Sequence, residues 1–179
     1  HAQSQQPADP ERALSEIMRA LMAALPGRLY AVAWNLTPYH ALSMTVASPE
    51  QLCLSQHFEF AASHRLHVDS MSAEENRRVF GKCHNPNGHG HNYRLQVTVA
   101  KPFGGELTMT DIERIVDGTV VQRFDHKHLN LDTAEFKELN PSVEHIARTC
   151  FELLRSPLLA VGGELRKVTV WETEKTSST

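Results

Sequence analysis

Long apolar runs are missing from this chain of 179 residues. Runs such as Leu21 to Leu25 and Leu158 to Val161 fall far short of the roughly 20 residues that carry a helix across a bilayer. No basic segment followed by an apolar stretch opens the sequence, so neither a membrane span nor a secretory leader is expected. A surplus of positive charge is missing too: 18 Lys and Arg stand against 21 Asp and Glu. Following a phosphate backbone or an anionic bilayer requires clustered cations, so nucleic acid and membrane drop out as expected partners and a small molecule remains. Cysteine is sparse. Cys53, Cys83 and Cys150 are odd in number and lack disulfide-like spacing, which fits a reducing, cytoplasmic location.

What the sequence does concentrate is histidine, with eight of its eleven lying between His57 and His128. The flanking chain reads as one domain with an extension, since a hydrophobic content of 41% supplies an ordinary core. Residues 1–10, rich in Gln, Ala and Pro, are expected to be a disordered lead or a tag remnant. From Glu11 to Leu25 the apolar residues Leu14, Ile17, Met18, Leu21, Met22 and Leu25 recur at helical spacing and stop at Pro26-Gly27. A strand is expected through Leu29 to Leu36 and another from Leu52 to Ser63, then a polar loop from Arg65 to Phe80. Gly81 to Gly90 is turn-rich, and Tyr93, Leu95, Val97 and Val99 alternate with polar residues as a half-buried strand does. Helices are predicted from a Thr110-Asp111 cap, with Gly118 a weak point inside, and from an Asn140-Pro141 cap. A last strand covers Leu165 to Thr173. This order gives an α+β domain with a largely antiparallel sheet. The helix, Gly turn and strand over 11–36 also resemble those over 141–173, so the extension at 11–48 is a candidate remnant of a tandem copy beside a catalytic domain at 49–179.

Chemistry gathers around His89-Gly90-His91. Two residues apart at a strand entrance, both imidazoles should face one side, with Gly90 leaving room for an ion and a ligand to approach. A catalytic zinc keeps three protein ligands and one open position, and His64, at the end of the preceding strand, is the best third ligand. Cys83, six residues before His89, close enough to share a cavity with the metal and next to Lys82, is expected to have a lowered pKa and to act as base or nucleophile, or else to bind zinc. Asp125-His126 resembles an orienting carboxylate beside a proton carrier, although adjacent side chains rarely hydrogen-bond. Glu172 is either a solvated edge residue or a buried carboxylate awaiting a bidentate partner such as the amino-imine edge of a pterin or guanine.

Three segments taken together, Phe58 to Leu66, Phe80 to Tyr93 and Asp125 to Asn130, resemble the 6-pyruvoyl-tetrahydropterin synthase family over about 53–174. The resemblance implies the tunnelling fold: a four-stranded antiparallel sheet with two helices per subunit, closing into an oligomeric barrel as a trimer or dimer of trimers. It implies zinc on His64, His89 and His91, and Cys83 as the catalytic thiol. Asp125 and His126 become a proton-relay pair commonly supplied by a neighbouring subunit, Glu172 the pterin anchor and Glu144 a second pocket residue. Val143 and His145 depart from the Thr and Asn frequent there. The implied substrate is 7,8-dihydroneopterin triphosphate, which loses triphosphate as Cys83 removes a side-chain carbon proton and His126 relays protons; Lys82 and Arg65 are candidates to neutralise the leaving group. A 6-carboxytetrahydropterin synthase of the queuosine pathway is the alternative, disfavoured by the Cys83 to His89 interval. A non-catalytic pterin-binding subunit is the other, disfavoured because every catalytic position is filled.

Overall fold

The computed structural model describes residues 9–179, so the expected lead lies outside the described residues up to position 8. Asp9 and Pro10 already belong to the first helix, α1 (Pro10–Ala24): the Asp9 carboxylate accepts from the Glu11 and Arg12 amides, and Pro10 fills the first turn. One helical turn apart, Leu14 and Met18 are buried. The strand expected after α1 is the first arm of a hairpin, β1 (Ala31–Asn35) and β2 (His40–Thr45), with Trp34 opposite Leu42.

A longer antiparallel pair follows. β3 (Ser48–His64) and β4 (His89–Pro102) stay in register from Gln51 opposite Pro102 to His64 opposite His89. On β4, Tyr93, Leu95, Val97 and Val99 are all fully buried, as their alternation predicts. The segment between these strands is not all loop. α2 (Ala73–Phe80) occupies its second half, started by reciprocal bonds between Ser72 and Glu75 that satisfy two free amides. The remaining stretch is pinned by asparagines. Asn130 accepts from the Arg65 amide (2.8 Å) and donates to the Arg65 carbonyl (3.0 Å), Asn140 accepts from the His67 amide (3.1 Å), and fully buried Asn76 accepts from the Val68 amide (2.8 Å).

After β4 come α3 (Met109–Val116), a wide turn over Asp117–Val121 that contains Gly118, and α4 (Gln122–Phe124). The cap of α3 is Thr108, which reciprocates with Asp111, and not the expected Thr110. β5 (Lys127–His128) and α5 (Leu129–Asp132) lead to α6 (Val143–Ala160). Ser142 caps α6 in place of Asn140, which leaves Asn140 and Pro141 free for another task described below. β6 (Glu164–Thr173) and β7 (Thr176–Ser178) complete the chain.

Among the described residues the strands form one sheet in the order β1-β2-β3-β4-β6-β7, with β5 pairing parallel to β3. The expected four-stranded antiparallel unit is β3-β4-β6-β7, and the β1-β2 hairpin enlarges it beyond β3. Inward residues of α1, α3 and α6 share one buried cluster with those of β2, β3, β4 and β6. The extension is also tied down by charge: nearly buried Lys101 on β4 donates to the Glu11 carboxylate (2.8 Å) and to the Gly105 carbonyl (2.9 Å). Because Leu14 lies in the common core, Leu14→Ala should cost about 2–5 kcal/mol of global stability by denaturant titration. A loss below about 0.5 kcal/mol, the scale of an ordinary surface change, would mean that α1 is not part of that core.

Candidate metal centre

The helix-covered face of the sheet is apolar along most of its length and turns polar at one end. His64 closes β3, His89 and His91 open β4, and Glu172 stands near the end of β6, one residue past the Arg94 and Trp171 pair. The ligand atoms of His64, His89 and His91 lie within 4.8 Å of one another. His64 Nε2 is 3.2 Å from His89 Nε2 and 3.2 Å from Glu172 Oε1, which in turn is 3.6 Å from His91 Nε2. On the far side of its ring, His64 Nδ1 donates to the Pro141 carbonyl at 2.7 Å, so that Nε2 is left as the free lone pair facing the cluster. Pro141 is held in turn because His145 Nδ1 bonds the Asn140 carbonyl (2.7 Å) and Asn140 binds His67.

These residues fit a metal ion on their own chemistry. Three imidazoles are a zinc donor set, their ligand atoms converge, and the buried His91 Nε2 lacks a hydrogen-bond partner among the described residues. Burial, followed by the neighbouring imidazoles, pushes the His89 pKa down, and burial is the leading cause for His91 as well. Both are therefore held neutral, the form that binds metal. The contact with His64, first among the causes, lowers the Glu172 pKa despite partial burial, so the carboxylate is ionised and not a solvated edge residue.

Cys83 lies in the short turn Gly81–His84, near enough to the cluster that the Glu172 charge acts on it. The expected lowering by Lys82 is not found. Burial first and Glu172 second push the thiol above its ordinary pKa, so the chain's own groups do not make it a thiolate. Among protein atoms, a Cβ at Gly90 would meet only the Ala62 carbonyl oxygen at an ordinary 3.6 Å. The demanding position is Gly88, with φ +69°, where a Cβ would sit 2.8 Å from both His128 Nε2 and the His64 carbonyl oxygen.

Asp125 and His126 do bond each other, at 2.7 Å, against the expectation for adjacent residues. The reason is backbone: His126 has φ 56°, the left-handed region, and its amide donates to the Ala61 carbonyl while Asp125 accepts from the Ala61 amide at 2.7 Å. That amide, with His126, holds the Asp125 pKa low. The pair stands outside the histidine cluster, and the largely exposed His126 lines a cleft of about 420 Å³ together with His91. Glu144, exposed on the first turn of α6, lines a second cavity, and its pKa is lowered chiefly by the Ser142 hydroxyl, with the Glu172 charge opposing. Tyr93 was not singled out in the sequence. Two residues beyond His91 on the same strand face, it forms the floor of the site, and its buried hydroxyl has no partner among the described residues. The strand alternation that marked it as core was the available signal.

A long hairpin, two helices and a short second hairpin, with three histidines at the sheet end able to hold a metal, define a tunnelling-fold protein. The family model described as 6-pyruvoyl tetrahydropterin synthase matches residues 53–179. The 6-pyruvoyl tetrahydrobiopterin synthase of Homo sapiens is 38% identical over 128 residues, covering 69% of this chain and 87% of that protein. A solved structure of Caenorhabditis elegans 6-pyruvoyl tetrahydropterin synthase aligns with a TM-score of 0.64 at 32% identity, over 72% of this chain and 93% of that one. The Plasmodium falciparum 6-pyruvoyl tetrahydropterin synthase aligns with a TM-score of 0.51 at 13% identity, over 72% and 96%, a likeness of fold alone. The chain belongs to the 6-pyruvoyl tetrahydropterin synthase family.

The histidine shifts set a pH dependence. With the folded pKa values of His89 and His91 below the ordinary 6.5, the unfolded chain binds more protons just under that pH. Metal-free protein should therefore lose stability as pH falls through about 6.5. Thermal melts between pH 8 and 5 check this, and His89→Ala with His91→Ala should flatten the slope; an unchanged slope would show that other groups set it.

Proposed function

We propose that this chain converts 7,8-dihydroneopterin triphosphate to 6-pyruvoyl-tetrahydropterin with loss of triphosphate, using zinc held by His64, His89 and His91. The observation that carries this is the convergence of three imidazoles beside an ionised Glu172 and a nearby thiol, in a chain of this family. When bound, zinc supplies Lewis acidity that acidifies substrate hydroxyls and the carbon protons next to them. The Pro141 carbonyl keeps His64 in the ligating tautomer. Glu172 offers two ionised acceptors to the amino-imine edge of the pterin, a match no solvated group makes as well. Cys83 takes the side-chain carbon proton, and its raised pKa means that nearby positive charge must first make it a thiolate. Asp125 fixes the His126 tautomer through the 2.7 Å bond, leaving Nε2 to carry protons. Its exposure suits service to the site of a neighbouring subunit in a homo-oligomer.

Metal analysis of His89→Ala and His91→Ala should find zinc lost; stoichiometric zinc in both would sink the ligand assignment. Cys83→Ala should keep zinc and substrate binding while losing at least about 10² of turnover, and His126→Ala should lose less. Mass spectrometry of the product distinguishes the pyruvoyl compound from a 6-carboxy one, which would move the chain to the alternative activity.

We also propose that residues 11–48 are the end of a degenerate first copy of the same unit. What supports this is the repetition of helix, strand and antiparallel strand, α1-β1-β2 against α6-β6-β7, with Trp34-Asn35 matching Trp171-Glu172. Asn35 cannot supply two ionised acceptors, so this copy anchors no pterin. Its role is structural, filling the β3 edge. Deleting residues 1–48 should expose Leu52 and Leu54 and weaken assembly, read by light scattering and dye binding, while the zinc ligands stay; an unaltered truncated protein would remove the idea's physical basis.

A further inference from the structure

The chain as a whole is slightly acidic, yet one cavity bordering the histidine cluster is walled by cations. It encloses about 640 Å³, and its lining includes Arg77, Lys82, His84, Asn85 and His89 without any carboxylate. That volume suits a small ligand. Arg77 comes from the last turn of α2, while Lys82 and His84 flank Cys83 in the turn that follows. Neither Arg77 nor Lys82 has an ion-pair partner among the described residues. The wall is nonetheless ordered. Arg65 Nε donates to the His84 carbonyl at 3.3 Å, and the His67 and His84 rings stack with centroids 5.1 Å apart. Asp69 faces the opposite edge of His67, 3.0 Å from its Nε2, and is not part of the lining.

Direction adds a second, independent observation. Glu172 meets the cluster at His64 and His91, whereas the cavity meets it at His89. A ligand lying across the three histidines thus finds an ionised acceptor at one end and unpaired cations at the other. 7,8-Dihydroneopterin triphosphate has that polarity: a donor edge on its ring, hydroxyls in the middle and a phosphate chain at the tip. We infer that Arg77, Lys82 and His84 form the phosphate subsite and select substrates carrying a phosphate chain. Arg65 is a positioning residue that sets His84. The inference rests on the pterin triphosphate reading above.

The test uses the full chain with Arg77→Ala, Lys82→Ala, Lys82→Arg and the double Ala variant. Inorganic triphosphate is titrated calorimetrically, and KM is measured with 7,8-dihydroneopterin triphosphate. Loss of each charge-assisted contact should weaken inorganic triphosphate binding about 10-fold and raise KM by a similar factor. Zinc content and affinity for phosphate-free 7,8-dihydroneopterin should hold, Lys82→Arg should keep most of the binding, and added salt should narrow the differences. Wild-type triphosphate affinity in the double variant overturns the subsite, as does an equal loss toward the phosphate-free pterin, which would mean a collapsed loop. Should the wild type bind inorganic triphosphate through Arg77 and Lys82 yet not turn over the pterin triphosphate, the subsite stands and the proposed activity fails.

Discussion

The hydrogen bond from His64 Nδ1 to the Pro141 carbonyl is the constraint on which the site depends. It joins the end of β3 to the loop before α6, elements 77 residues apart in the chain, and it decides which nitrogen His64 presents. A buried imidazole without this partner would be free to choose its tautomer and could point its proton at His89. The loop is fastened by side chains with no other duty: His145 holds the Asn140 carbonyl, and Asn140 holds the His67 amide. Such outer contacts orient residues that would ligate a metal without themselves touching it.

A polar cluster at the end of an apolar sheet face carries an energetic tension. The strand that buries Leu95, Val97 and Val99 also carries His91 and Tyr93 toward the same side, so desolvation is imposed on groups that water would otherwise satisfy. Its consequences run in opposite directions. Burial keeps His89 and His91 neutral and ready to ligate, but it raises the thiol of Cys83 and the phenol of Tyr93, with the Glu172 charge adding to both. One environment prepares the ligands and suppresses the base.

Much of this was legible in the sequence because it follows from periodicity. The alternation from Tyr93 to Val99 located β4 and, by two-residue spacing, put His89 and His91 on one side; the i, i+3, i+4 pattern located α1 and α6. What escaped notice depends on contacts distant in sequence or on unusual backbone. No local pattern announces that Asn140 and Pro141 serve His64 while Ser142 caps the helix, since all three residue types suit a helix start. The Asp125 and His126 bond requires a left-handed residue, which steric rules disfavour for histidine and only the bonds to Ala61 explain. α2 was hidden by its polarity: its one buried residue is Asn76, so it lacks the apolar stripe by which helices are recognised.

The β2 pairing with β3 has a kinetic side. A strand edge filled by a separate molecule is occupied only as often as concentration and affinity allow. Here the filling strand is connected to β3 through a turn of two residues, Val46 and Ala47, so its effective concentration is fixed by the short tether and not by how much protein is present. Dilution loosens contacts between chains and leaves this one intact. Whatever larger structure the protein enters, it arrives with this edge already closed to strangers.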